Sequence, residues 1–118
     1  MENQHRKIKG YRELSQEEID LMNRIKAKGS ELLSLANELA GRLDTDEETK
    51  RLAARRSVEG RKSFADVPYN ERTGATDECH EYRRFEAAEP MLWAAKGKLD
   101  IQTGIMALVR AVAQPAGV

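Results

Sequence analysis

The sequence predicts an all-α protein, a long helical hairpin with a short extra helix, assembled into a helical homo-oligomer. Three observations carry that prediction. The longest periodic segments repeat at helical spacing while strand-like alternation is absent, and aromatic residues make up only 5% of the chain. Met22, Gly29, Ala36 and Leu43 recur every seven residues, with Ile25, Leu32 and Leu39 in the alternate set. This is the a/d rhythm of a packed seam. Finally, the C-terminal segment is apolar around much of its girth, through Leu92, Trp93, Leu99, Ile101, Ile105, Met106, Leu108, Val109 and Val112. Two long helices and one short one cannot bury that much surface in a chain of this size, so most of the core is expected between copies.

Residues 1–14 form a basic arm. Arg6, Lys7, Lys9 and Arg12 surround Tyr11, and Gly10 is free to take a positive φ and turn the chain back over the helix start. A long helix follows over 15–43, capped by the Ser15 hydroxyl with Glu18 placed to complete a capping box. At 1.5 Å per residue it would extend roughly 42 Å. Gly29 lies in its seam, where a close helix contact or a kink is expected. Residues 44–89 form a charged connector and loop. Within it Thr45 is placed to cap a second, shorter helix with acids first and bases last, the order the helix dipole favours. The stretch 63–77 reads as a mobile loop through Pro68, Asn70 and Gly74, with Phe64 and Tyr69 as its large anchors. The last helix, 90–114, restarts at Pro90 and is stopped by Pro115 and Gly117. Together the four segments make one helical domain, 1–118.

The chemistry concentrates at the arm and at two lysines. Lys26 interrupts the apolar row Ile19, Leu33 and Ala40 beside the seam. Its ammonium needs either water or an anion, and both readings stand. Cations around Tyr11 suit a stacked nucleobase with its phosphates held alongside. The other reading of Tyr11 is a staple that packs the arm onto the helix. Lys98, with Asp100, Gln102 and Thr103, forms a polar band on the last helix, either solvated surface or a second anion site lined by several copies. The cluster from Asp77 to Glu81 is the one group resembling metal ligands. Adjacent helical residues point in different directions, however, and no second histidine lies near, so a charged helix start capped by Thr76 or Asp77 is the expectation. No cofactor is expected, and no catalytic residue stands out.

Charged residues are 34% of the chain but balance to zero, which argues against duplex nucleic acid as a partner. The single cysteine, Cys79, excludes an internal disulfide framework and fits a reducing compartment. With no apolar run long enough to span a bilayer and no cleavable leader, the sequence predicts a cytoplasmic protein without a membrane partner.

Two blocks, HRKIKGYRELSQEEIDLMNRIKAKG and WAAKGKLDIQTGIMALVRAVAQP, cover close to half the chain. They resemble the phage anti-CBASS cyclic-oligonucleotide sponge family, small helical proteins that sequester bacterial immune second messengers. The resemblance implies a homohexamer in a bacterial host cell that binds without catalysing. Cyclic dinucleotides would sit between pairs of subunits and cyclic trinucleotides where three subunits meet. It implies that Tyr11 stacks on a base and Lys26 pairs with phosphate, with Lys9 and Arg12 as further arm cations. In the second block the family tends to carry an arginine beside the acidic residue, and Lys98 stands at that place, keeping the charge but losing the bidentate fork. Three rivals remain on sequence grounds. One is a helical adaptor or coiled-coil interaction protein without a nucleotide ligand. The second is a small DNA-binding regulator, disfavoured by the neutral charge and the lack of a helix-turn-helix. The third is an enzyme that degrades cyclic nucleotides, weakly supported because the seam is not acidic.

Overall fold

A computed structural model describes residues 12–115. Three helices account for most of them: α1 (Gln16–Ser57), α2 (Asp77–Ala88) and α3 (Pro90–Ala113). The fold is all-α, a helical hairpin of α1 and α3 with α2 as the short extra helix. Among the described residues no helix is long and apolar enough to cross a membrane.

α1 starts as its sequence directs. The Glu18 N–H donates to Ser15 Oγ at 3.1 Å, and the Ser15 N–H donates to Glu18 Oε1 at 2.9 Å, a reciprocal capping box. It does not stop at Leu43, and the separate helix capped by Thr45 is not formed: α1 continues unbroken to Ser57. The physical reason is that nothing in 37–57 forbids a helix. No proline occurs there, and the charges pair along the helix surface, Arg51 with Glu48 at 2.8 Å and Arg42 with Asp46 at 3.9 Å. The Thr45 hydroxyl donates back to the Gly41 carbonyl at 3.2 Å instead of capping. What reads in sequence as the start of a charged connector, residues 44–57, is therefore the continuation of the long helix.

The chain forms two compact units. One comprises residues up to Ala36 with those from Gly97 onward, and the other spans Asn37–Lys96. The second unit has a conventional small core. Ala54 and Val58, from the end of α1 and just beyond it, form one buried cluster with Cys79 and Tyr82 of α2, and Phe85 of α2 is buried as well. The loop between them is internally bonded: Lys62 and Pro68 form an antiparallel bridge, and Ser63 N–H donates to Val67 O at 2.9 Å. Asn70 Oδ1 accepts from the N–H groups of Arg72 and Thr73, an Asx turn. Of the two expected anchors, Phe64 does not dock: it is fully exposed, and Tyr69 is exposed as well. Their place is taken by Gly74, where an added Cβ would lie 2.6 Å from Val58 Cγ1 and 2.7 Å from Cys79 Sγ. The loop backbone itself covers this core.

Thr76 caps α2, its hydroxyl accepting from Cys79 N–H at 3.1 Å and lying 2.6 Å from the Ser57 hydroxyl. Glu89 closes α2 in the left-handed region (φ 51°), and Pro90 then opens α3 at the helix position where its missing N–H costs nothing. Across α1 and α2, Lys50 bridges to Glu81 at 2.9 Å and lies 5.9 Å from the centre of the Phe85 ring. Glu81 also accepts from Arg84 at 2.6 Å. The Arg84 bond, then the Lys50 bond, hold the Glu81 carboxyl down at about 2.

Candidate functional site

The first unit carries the residues that the sequence singles out for binding, and it is built with almost no interior. Gly29 alone is buried among its described residues, and α3 has no buried side chain along its whole length. α1 and α3 run antiparallel here, since the segment leading into α1 meets the last turn of α3. They approach at Gly29, where an added Cβ would lie 2.6 Å from Ile105 Cγ1. The close helix contact expected of Gly29 is thus present, with the Ile105 side chain occupying the space a side chain at 29 would need.

At the open end of this hairpin Arg12 joins three elements. Its Nε donates to the Ala113 carbonyl at 3.1 Å and its Nη2 to the Val112 carbonyl at 2.8 Å. These belong to the last turn of α3, whose carbonyls have no partner inside the helix. The same guanidinium reaches Glu18 on α1, 2.6 Å from Nη2 to Oε2 and 3.4 Å from Nη1 to Oε1. The Arg12 bond, followed by the Ser15 amide, lowers the Glu18 carboxyl to about 2. α3 itself ends with Gln114 in the left-handed region, its N–H returning to the Arg110 carbonyl at 2.8 Å, and Pro115 follows.

Lys26 is exposed on α1, and Lys98 is exposed on α3. At about 100° per residue, Lys26 is turned roughly 60° to one side of Gly29, while Ile25 and Leu32 are turned to the other. Measured from the Gly29–Ile105 contact, the two lysines lie in opposite directions along the antiparallel pair. At about 1.5 Å per residue that separates them by roughly 15 Å along the axis, so one chain does not bring them together. Tyr11 and Lys9 lie outside the described residues.

On the flank away from Lys26 is an apolar groove of about 590 Å³, lined chiefly by Leu21, Ile25, Leu32, Ile101, Ile105 and Leu108. None of Arg12, Lys26 and Lys98 lines it. Its lining is chiefly apolar and suits apolar side chains, with Arg24, Lys28 and Glu31 as its charged members. Among the described residues, no group of three or more His, Cys, Asp or Glu side chains is arranged to hold a metal ion. Asp77 to Glu81 instead forms the capped start of α2, with Cys79 turned inward to the Ala54 carbonyl at 3.5 Å.

Anti-CBASS protein 2 of Pseudomonas phage JBD67 is 59% identical to this chain over 117 residues, an alignment that covers 99% of each protein. This chain belongs to the anti-CBASS protein 2 family. No general family model matches it. The alignment spans both compact units of the chain. Sequence reasoning missed the Glu18 partner of Arg12. The signal was present in the Arg12, Ser15 and Glu18 spacing but was read only as a capping box.

Proposed function

We propose that this chain is a non-catalytic sponge for cyclic di- and trinucleotide immune second messengers, blocking a bacterial anti-phage defence from within the cytoplasm of the host. The observation that carries the reading is the full-length identity to a protein named for opposing CBASS. Sequestration needs only binding: a ligand held by the sponge is withheld from its effector by mass action.

In this reading the protein is a homohexamer, with dinucleotide pockets between pairs of subunits and trinucleotide pockets where three meet. The near absence of buried residues in the first unit supports assembly, because the hairpin's apolar faces then find cover on neighbouring copies. Leu32, Leu99, Met106 and Leu108 are all more than 45% exposed in the single chain. Tyr11 stacks on a base, Lys26 pairs with phosphate, and Lys9 and Arg12 add charge beside them. Lys98 lines the trinucleotide pocket, where its distance from Lys26 within one chain fits two kinds of site.

The test is a thermal-shift and calorimetry screen against cyclic di- and trinucleotides, with linear dinucleotides as controls. Tight, ring-selective binding is expected, with two stoichiometries if both pocket types operate. Lys26→Ala should remove dinucleotide binding while the oligomer stays intact, since its alkyl stem adds little to the seam. No response across the panel would overturn the reading and leave a helical adaptor.

A further inference from the structure

We infer that the apolar groove of the hairpin is a self-association face, in which α1 of a second copy lies antiparallel to α1 of the first about a two-fold axis near residues 26 and 27. The inference deepens the reading above, whose homo-oligomer it rests on, by naming a face and a register. Its first warrant is spacing. Along α1 the groove runs from Leu21 through Ile25 and Lys28 to Leu32, steps of four, three and four residues that make one seam. Leu21 and Leu32, at the two ends of that seam, are exposed in the single chain. The opposite wall is α3, chiefly through Ile105 and Leu108, so an entering helix meets apolar side chains on two sides.

The second warrant is charge, and it selects a second copy as the occupant. Arg24 and Glu31 both border the groove and, seven residues apart, lie in line along α1. At about 100° per residue they are turned roughly 150° from Gly29, which faces Ile105, so they form the edge away from α3. Among the described residues Arg24 has no ion-pair partner, and Glu31 pairs with an exposed lysine, Lys28, at 3.6 Å. A two-fold axis through the middle of the seam sets Leu21 of each copy opposite Leu32 of the other, and Ile25 opposite the Lys28 stem. Arg24 then falls level with the other copy's Gly29, two residues or about 3 Å along the axis from its Glu31. An isologous contact makes this pair twice, and such edge charges fix register and orientation. Lys26 is turned to the other flank, so the contact leaves it exposed.

The experiment is sedimentation velocity of the full chain over a range of concentrations, with Arg24→Glu, Glu31→Arg and the chain carrying both. Each single reversal sets like charges at both edge contacts and should weaken self-association by about tenfold. Both reversals in one chain restore opposite charges and should return the native mass, which also separates lost association from lost folding. The decisive sample is a mixture of the two single variants. One brings two acids to the edge and the other two bases, so they should associate with each other more tightly than either does with itself. Native association by both single variants would overturn the contact. So would association that is lost in the single variants and regained neither in the mixture nor in the double variant. A native chain that stays monomeric at every concentration would overturn the assembly reading along with this face, and calorimetry with cyclic nucleotides would then show whether binding survives without assembly.

Discussion

Gly29→Ala sets local helix propensity against packing, and the structure says which wins. Alanine in place of glycine inside a helix is worth about 1 kcal/mol in favour of the variant. The new methyl would stand 2.6 Å from Ile105 Cγ1, where carbon atoms ordinarily rest about 3.5–4.0 Å apart, so about 1 Å of overlap must be relieved. Rotation about χ2 moves only the tip of isoleucine. Cγ1 is set by χ1, which is strongly restricted for a β-branched residue in a helix. The remaining relief is to spread α1 from α3, and overpacking of this kind costs about 1–3 kcal/mol. The expected balance is a destabilisation of about 1 kcal/mol, measured by urea unfolding at fixed protomer concentration. In an Ile105→Ala background the obstacle is gone, and Gly29→Ala should then stabilise by about 1 kcal/mol relative to Ile105→Ala alone. The reversal of sign is the decisive result. Stabilisation in the native background, or an equal effect in both, would refute the close contact.

The pH dependence of the Arg12–Glu18 pair has a defined direction. Glu18 is lowered from 4.5 to about 2, so its contribution is complete above about pH 4.5 and is lost as pH falls toward 2. The Tm difference between the native chain and Glu18→Gln should accordingly be flat at neutral pH and close on acidification. Thr76→Ala removes the α2 cap and a partner of the Ser57 hydroxyl, and should cost about 1–2 kcal/mol of the second unit's stability by chemical denaturation. Lys98→Arg restores a bidentate donor and should tighten cyclic trinucleotide binding about fivefold by calorimetry, with dinucleotide binding unchanged.

The fold was legible where local chemistry and periodicity agree. Ser15 with Glu18, Thr76, Pro90 and the stop at Pro115 each mark a helix boundary through a specific backbone donor or acceptor, and all four sit at helix ends in the structure. The continuation of α1 through Thr45 was not legible, because a threonine followed by acids has the composition of a cap and of an exposed helix turn alike. The core of the second unit was also hidden. Ala54, Val58 and Cys79 are small, separated by a long loop, and become a core only when Gly74 brings the loop backbone over them. Lys26 is singled out in sequence because it interrupts an apolar row, and the structure leaves it exposed. Arg12 looked like a free cation, since its partners at Val112 and Ala113 are about a hundred residues away and are backbone atoms, which no side-chain pattern encodes.

Trp93 is the chain's one tryptophan, and on α3 it stands 65% exposed. An indole in water emits at longer wavelength than one in an apolar surrounding, and this chain has no second indole to blur the signal. The protein therefore carries its own optical gauge of whether α3 is covered. Dilution of the purified chain, followed by its emission maximum alone, reads the wetting and drying of that helix without any label.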